Sequence, residues 1–202
     1  MTRRTIGIID YGAGNLSSVQ HAFHMLGHRC RISGDPQVLD DCDLLLLPGV
    51  GAFPLAMENL VASGLDRYVA DAARNDRPLL GICLGMQLLV DSSSEYRLTA
   101  GLGLIPGTVE PIAGARWHIG WNRLETVTND AMFAASDRES FYFNHSYALD
   151  VPAAYQAALA RSGHPLVAAI RRDNVVGLQF HAEKSQAAGR ALLAAIVDGL
   201  CR

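Results

Sequence analysis

Two short segments hold the residue types that acyl transfer needs. The first is Pro78-Leu79-Leu80-Gly81-Ile82-Cys83-Leu84-Gly85-Met86-Gln87, a brief apolar run with a glycine on either side of one cysteine. The pattern predicts a strand, a tight turn and the start of a helix, with Gly81 and Gly85 leaving the bend uncrowded. The N–H groups and positive dipole end of such a helix point at the sulfur and favour its thiolate, the reactive species. Taken alone, Cys83 reads better as a buried cysteine at a strand end. The second segment is Val175-Val176-Gly177-Leu178-Gln179-Phe180-His181-Ala182-Glu183-Lys184-Ser185, a buried strand ending at a histidine with a carboxylate two residues on. In an extended backbone, side chains at i and i+2 share a side. Glu183 is therefore expected to accept a hydrogen bond from one ring nitrogen of His181, leaving the other nitrogen as a base towards Cys83. A nucleophile, a base and an orienting group are the parts of acyl transfer through a thioester. The plainer reading of this segment is a capping histidine and a solvated glutamate.

These residues must be carried by alternating strands and helices. Thr5–Asp10 reads as an apolar strand closed by Tyr11-Gly12-Ala13-Gly14, and Leu16, Val19, Phe23 and Leu26 recur at helical spacing until Gly27. The run from Asp43 to Pro48 is apolar on both faces, as in a central parallel strand, and ends in Gly49-Val50-Gly51. Helical stretches cover about Leu55 to Asn75, and the strand bearing Cys83 follows. This order predicts an α/β domain: a mixed, mostly parallel open sheet with helices on both faces. From Gly101 to about Val127 the Gly, Pro and aromatic residues predict hairpins. Phe141–Tyr147, Tyr155–Ala160, Leu166–Arg171 and Val175–Phe180 read as strands, before a closing helix from near Ser185. With no repeat or linker, residues 1–202 read as one domain.

In such sheets ligands lie at the carboxyl ends of strands. Gly12 to Asn15, Gly49 to Gly51, Cys83 and His181 all fall at such ends. The flexible backbone of Gly49-Val50-Gly51 is expected to present an N–H to a developing oxyanion, with the N–H of Leu84 as the second donor; a plain turn after a strand is the other reading of the glycine pair. Losing one such donor typically costs roughly 3–4 kcal/mol in the transition state.

Composition sets the limits. The chain has 202 residues, 50% of them hydrophobic, enough for one substantial core. A net charge of −3 offers no basic face for nucleic acid. The apolar runs are too short to span a bilayer, and the first residues lack the long apolar segment of a secretory signal. Cys30, Cys42, Cys83 and Cys201 have no paired spacing, so free thiols in a reducing cytoplasm are expected. His21, His24 and His28 read as a solvated helix face, and no metal site is expected.

The elbow Gly81–Gln87 together with Phe180–Ser185 resembles the class I glutamine amidotransferases, whose fold is flavodoxin-like. Within that class, Asp10–Leu16, Pro48–Phe53, Gly101–Ile105, His118–Asn122 and His145–Tyr147 are similar to the glutaminase subunits of imidazole glycerol phosphate synthase. The resemblance implies that Cys83 attacks the amide carbon of glutamine, that His181 takes and later returns the proton, and that Glu183 orients His181. It implies oxyanion contacts from Gly51 and Leu84. Gln87 and Glu95 would hold the glutamine head group, and Ser146 and Tyr147 would contact it through their backbone. Asn15, Tyr142 and Lys184 would meet the partner, a synthase (cyclase) subunit forming a heterodimer and receiving the ammonia in histidine biosynthesis. No cofactor and no metal are implied. The nucleotide substrate would sit on the partner, because Asp10–Leu16 is not a Gly-x-Gly-x-x-Gly pattern. The chain departs from the family in having Ala182 and Trp117 where proline is usual; Ala182 leaves the turn after His181 less constrained, and Trp117 is expected to change local packing or the partner surface. Two other classes stay open: a stand-alone cysteine hydrolase, and a non-catalytic regulatory subunit of the same fold.

Overall fold

A computed structural model of the chain describes residues 2–114 and 116–201. In chain order the elements are β1 (Thr5–Ile9), α1 (Leu16–Met25), β2 (Arg29–Ser33), α2 (Pro36–Asp40), β3 (Leu44–Leu47), α3 (Phe53–Ser63), α4 (Leu65–Arg74), β4 (Leu79–Ile82) and α5 (Leu84–Gln87). There follow β5 (Ser92–Ser93), β6 (Thr99–Ala100), β7 (Thr108–Pro111), β8 (His118–Arg123), β9 (Glu125–Thr126), β10 (Ser140–His145), β11 (Tyr147–Asp150), β12 (Gln156–Ser162), β13 (His164–Arg172), β14 (Val175–Leu178) and α6 (Gln186–Leu200).

The main sheet has the order β2-β1-β3-β4-β14-β13-β12-β9. Its first five strands are parallel, and the last three extend it antiparallel. The central strands are apolar at every position because both faces are covered. Ile6, Ile8, Leu44 and Leu46 pack on one side with Val19 and Phe23 of α1 and Leu193, Ile196 and Val197 of α6. Alternate residues Ile9, Leu45 and Leu47 pack on the other with Phe53 and Leu60 of α3 and Val69 of α4. This is the fold class expected: an open, mostly parallel sheet with helices on both faces. Because β1, β3, β4 and β14 run parallel, their carboxyl ends share one edge, where the turn after β3, Cys83 and His181 gather.

Three expectations are corrected. Residues 101–127 do not form hairpins among themselves. Strand β7 pairs with β11 and β5, β8 pairs with β10, and β9 pairs with β12. Turn residues mark where a chain bends, but distant strands supplied the partners. The segment 141–147 is two strands in two different sheets, broken at Ser146. Third, His28 is buried, not solvated. Its Nδ1 accepts a hydrogen bond from the Arg4 N–H at 3.2 Å, and burial lowers its pKa.

Candidate active site

The site begins with a strained backbone. Cys83 has φ 56° and ψ −113°, a positive φ that costs a non-glycine residue on the order of 1–3 kcal/mol. Its N–H is held by the carbonyl of Leu178 at 2.7 Å, so β14 stabilises the bend. The flanking glycines are sterically required. A Cβ at Gly81 would lie 2.7 Å from the Gly85 carbonyl oxygen, and one at Gly85 would overlap the Leu47 carbonyl. Only with both bare does α5 drop directly off β4 and bring its N-terminus beside the sulfur. As the first residue of that helix, Leu84 has no intrahelical acceptor for its N–H.

His181 lies at the end of the neighbouring parallel strand. Its N–H donates to the Tyr142 carbonyl at 2.8 Å. Its Nδ1 lies 2.8 Å from Glu183 Oε1, and both side chains are almost fully buried. The route to that pairing differs from the extended backbone expected: Ala182–Lys184 form one 3₁₀ turn, which curls the carboxylate back to the ring. The buried Ser185 hydroxyl holds this turn by donating to the His181 carbonyl at 2.7 Å and accepting the Tyr142 N–H at 3.0 Å. Burial alone would lower the His181 pKa, but hydrogen bonds and charge from Cys83 and Glu183 outweigh it and push it up to about 9. With Nδ1 donating to Glu183, Nε2 is the nitrogen left for Cys83.

Cys83 and His181 line one cleft of about 740 Å³, a size suited to a small metabolite. Gly51, Leu84, Gln87, Glu95, Ser146 and Tyr147 line it too. Gln87 is buried, not on a helix surface, and its Nε2 donates to the Tyr147 carbonyl (3.1 Å) and to Gln179 Oε1 (3.0 Å). Glu95, also buried, accepts the N–H of Phe53 at 2.8 Å through Oε2. The Ser146 carbonyl accepts the Ile112 N–H at 3.1 Å. At the rim, the Arg116 guanidinium lies 5.2 Å from the ring of the exposed Trp117.

Of the three residues expected at a partner interface, Lys184 is exposed and lines the cleft. Tyr142 is half-buried opposite Trp121 on β8, their rings 6.1 Å apart. Asn15 is exposed but does not line the cleft; it caps α1 by accepting the Ser18 N–H at 3.3 Å.

Three groups near the cleft escaped the sequence. Gln179 is fully buried, with Nε2 3.9 Å from Cys83 Sγ. One polar residue in the apolar run Val175–Phe180 was the available signal. His118 and His145 are buried with Nδ1 and Nε2 2.9 Å apart, and His145 Nδ1 lies 2.8 Å from the Tyr147 carbonyl. That carbonyl must accept from His145 Nδ1–H, so His145 Nε2 accepts and His118 Nδ1 donates. Burial first, then the charges of His118 and His181, lower the His145 pKa to about 4. Tyr11 is the third, a buried side chain beside Pro48.

Residues 7–197 match the family model described as glutamine amidotransferase class-I. The protein called imidazole glycerol phosphate synthase subunit HisH in Streptococcus gordonii is 45% identical over 190 residues, covering 92% of this chain and 92% of that one. The protein of the same name in Streptococcus mutans is 42% identical and covers 96% and 98%. Among solved structures, PurLQS from Thermotoga maritima superposes with a TM-score of 0.78 at 20% identity, over 99% of this chain and 100% of that one. A glutamine amidotransferase, also from Thermotoga maritima, gives 0.70 at 17% identity, over 100% and 99%. At such identities these structures speak to the fold alone.

Proposed function

The chain belongs to the class I glutamine amidotransferase family, and from that premise we propose how its cleft hydrolyses glutamine. Its function is that of the glutaminase subunit of imidazole glycerol phosphate synthase, in histidine biosynthesis. The observation that carries the mechanism is the buried His181–Glu183 contact at 2.8 Å, opening into the same cleft as a cysteine held at positive φ.

In our reading, Glu95 receives the α-ammonium of glutamine, Gln87 steadies the head group, and the Ser146–Tyr147 backbone closes the pocket. The sulfur of Cys83, its proton passed to His181, attacks the side-chain amide carbon. The carbonyl oxygen becomes an oxyanion held by the N–H groups of Gly51 and Leu84. His181 returns the proton to the amide nitrogen, the C–N bond breaks, and ammonia departs, leaving a thioester. Water, deprotonated by His181, then attacks the thioester carbon. The C–S bond breaks and glutamate leaves.

A partner follows from the chemistry of ammonia, which at neutral pH in water is mostly ammonium and not nucleophilic. We propose a heterodimer in which the synthase subunit covers the face bearing Asn15, Tyr142 and Lys184, where Ile119 and Trp121 are also exposed. Ammonia then passes to the acceptor without meeting bulk water. The whole chain, residues 1–202, acts as one domain. Its four free thiols suit a reducing cytoplasm. Among the described residues, no helix is long and apolar enough to cross a membrane.

Cys83→Ala tests the reading. In complex with the synthase subunit it should abolish glutamine-dependent synthesis and leave ammonia-dependent synthesis intact. Retained glutamine-dependent synthesis would remove Cys83 from the mechanism.

A further inference from the structure

The turn from Pro48 to Phe53 is held at both ends and loose in the middle. At its start, the Tyr11 hydroxyl donates to the Pro48 carbonyl at 2.8 Å. That carbonyl and the N–H of Gly49 share one planar peptide, so the bond fixes the tilt of the plane. Gly49 is also trapped sterically. A Cβ there would lie 2.8 Å from the Tyr11 hydroxyl, 2.9 Å from the Gly85 nitrogen and 2.9 Å from Leu84 Cβ. At the far end, the Phe53 N–H is held by Glu95 Oε2. Between them, Gly51 has φ +105° with no atom within 4 Å of where a Cβ would stand, and Val50 is 46% exposed. The Gly51 N–H is thus carried by the one free stretch, and the nearest fixed peptide before it is the one Tyr11 holds.

The Tyr11 ring packs in the cluster with Ile9, Leu47 and Phe53, a role that phenylalanine would fill. The hydroxyl has a separate task. Burial, with the charge of Cys83, raises its pKa far above the usual phenol range, so it stays a protonated donor.

We propose that Tyr11 is a positioning residue for amide hydrolysis: by locking the Pro48–Gly49 peptide, it fixes the pivot from which Gly51 presents its N–H to the oxyanion. This rests on the glutaminase reading with Gly51 as donor. Tyr11 touches neither the substrate nor the reacting atoms; it acts through the turn.

The test is Tyr11→Phe, assayed in the complex with the synthase subunit. If the wild-type complex releases no glutamate from glutamine, the glutaminase reading itself falls, independently of Tyr11. With that activity in hand, Tyr11→Phe should lower kcat for glutamine hydrolysis roughly 10- to 100-fold, as a misplaced oxyanion donor does. KM for glutamine should stay within about two-fold, because the lost interaction matters only in the transition state. Ammonia-dependent synthesis should not move, and Tm should fall by no more than the few degrees that one lost buried hydrogen bond explains. Gly51→Ala, strained at φ +105°, supplies the second readout. If both residues act through one turn, adding Tyr11→Phe to Gly51→Ala should cost less than about 3-fold further. An unchanged kcat, fully multiplicative losses in the double variant, or a parallel fall in ammonia-dependent synthesis and Tm would each overturn the proposal.

Discussion

In the mechanism proposed, Glu183 and His181 have separable tasks, because one ring nitrogen faces the carboxylate and the other is left for the sulfur. Removing the ring removes the proposed proton carrier. Changing the carboxylate to an amide keeps an acceptor for Nδ1–H but takes away the charge that helps raise the His181 pKa. His181→Ala should therefore lower kcat by about 10³-fold or more, and Glu183→Gln by about 10- to 100-fold. Glu183→Gln should also shift the pH profile of kcat to lower pH, which a purely structural loss would not do. Equal losses without that shift would deny Glu183 its orienting role. That Cys83 and His181 were worth bringing together was legible in the sequence, because a Gly-flanked cysteine and a strand-terminal histidine are local patterns, and both line one cleft. Gln179 was not singled out, since nothing local says that a glutamine in a strand faces a cysteine in the next.

Among the elements, the turn Ala182–Lys184 makes a separate prediction. The Ala182 N–H meets no protein acceptor among the described residues. The preceding residue, His181, has φ −87° and ψ 88°, outside the helical region that a following proline disfavours. Ala182→Pro should thus raise stability by about 0.4–1 kcal/mol through the unfolded chain, read as a higher urea midpoint with the m-value unchanged. A lower midpoint would mean that the packing around this buried residue has no room for the ring. The contact between His181 and Glu183 was expected from alternation in a strand but arises from a 3₁₀ turn. His181 itself precedes the turn with a non-helical backbone, and the turn brings Glu183 back to its ring, so the pairing was foreseen and the backbone was not.

Across the whole molecule, buried histidines pull the pH dependence of stability in opposite directions. His145 is held near 4 in the fold against 6.5 for a free side chain. Its contribution is complete above about pH 6.5 and disappears as the pH falls towards 4, because the unfolded chain takes up the proton first. His118, also lowered by burial, acts in the same sense. His181, raised to about 9, contributes fully below about pH 6.5 and loses that contribution as the pH rises through 9. Stability from denaturant titration should peak near neutrality. The acid limb should lose on the order of 2–3 kcal/mol to His145 between about pH 6.5 and 4. His145→Gln should flatten that limb; an equally steep fall in the variant would exclude His145 as its source.

The sequence by itself determined the apolar strands, the helices between them, the glycines at the elbow and the order of the residues proposed to react. Each of these depends on contacts within a few residues. Tertiary structure decided which strands pair. Leu44–Leu47, Leu79–Ile82 and Val175–Leu178 are all short and apolar, and nothing within them says that the last must lie beside the second. That adjacency puts His181 next to Cys83, and it is set by packing both faces of one sheet at once, a condition on the whole chain.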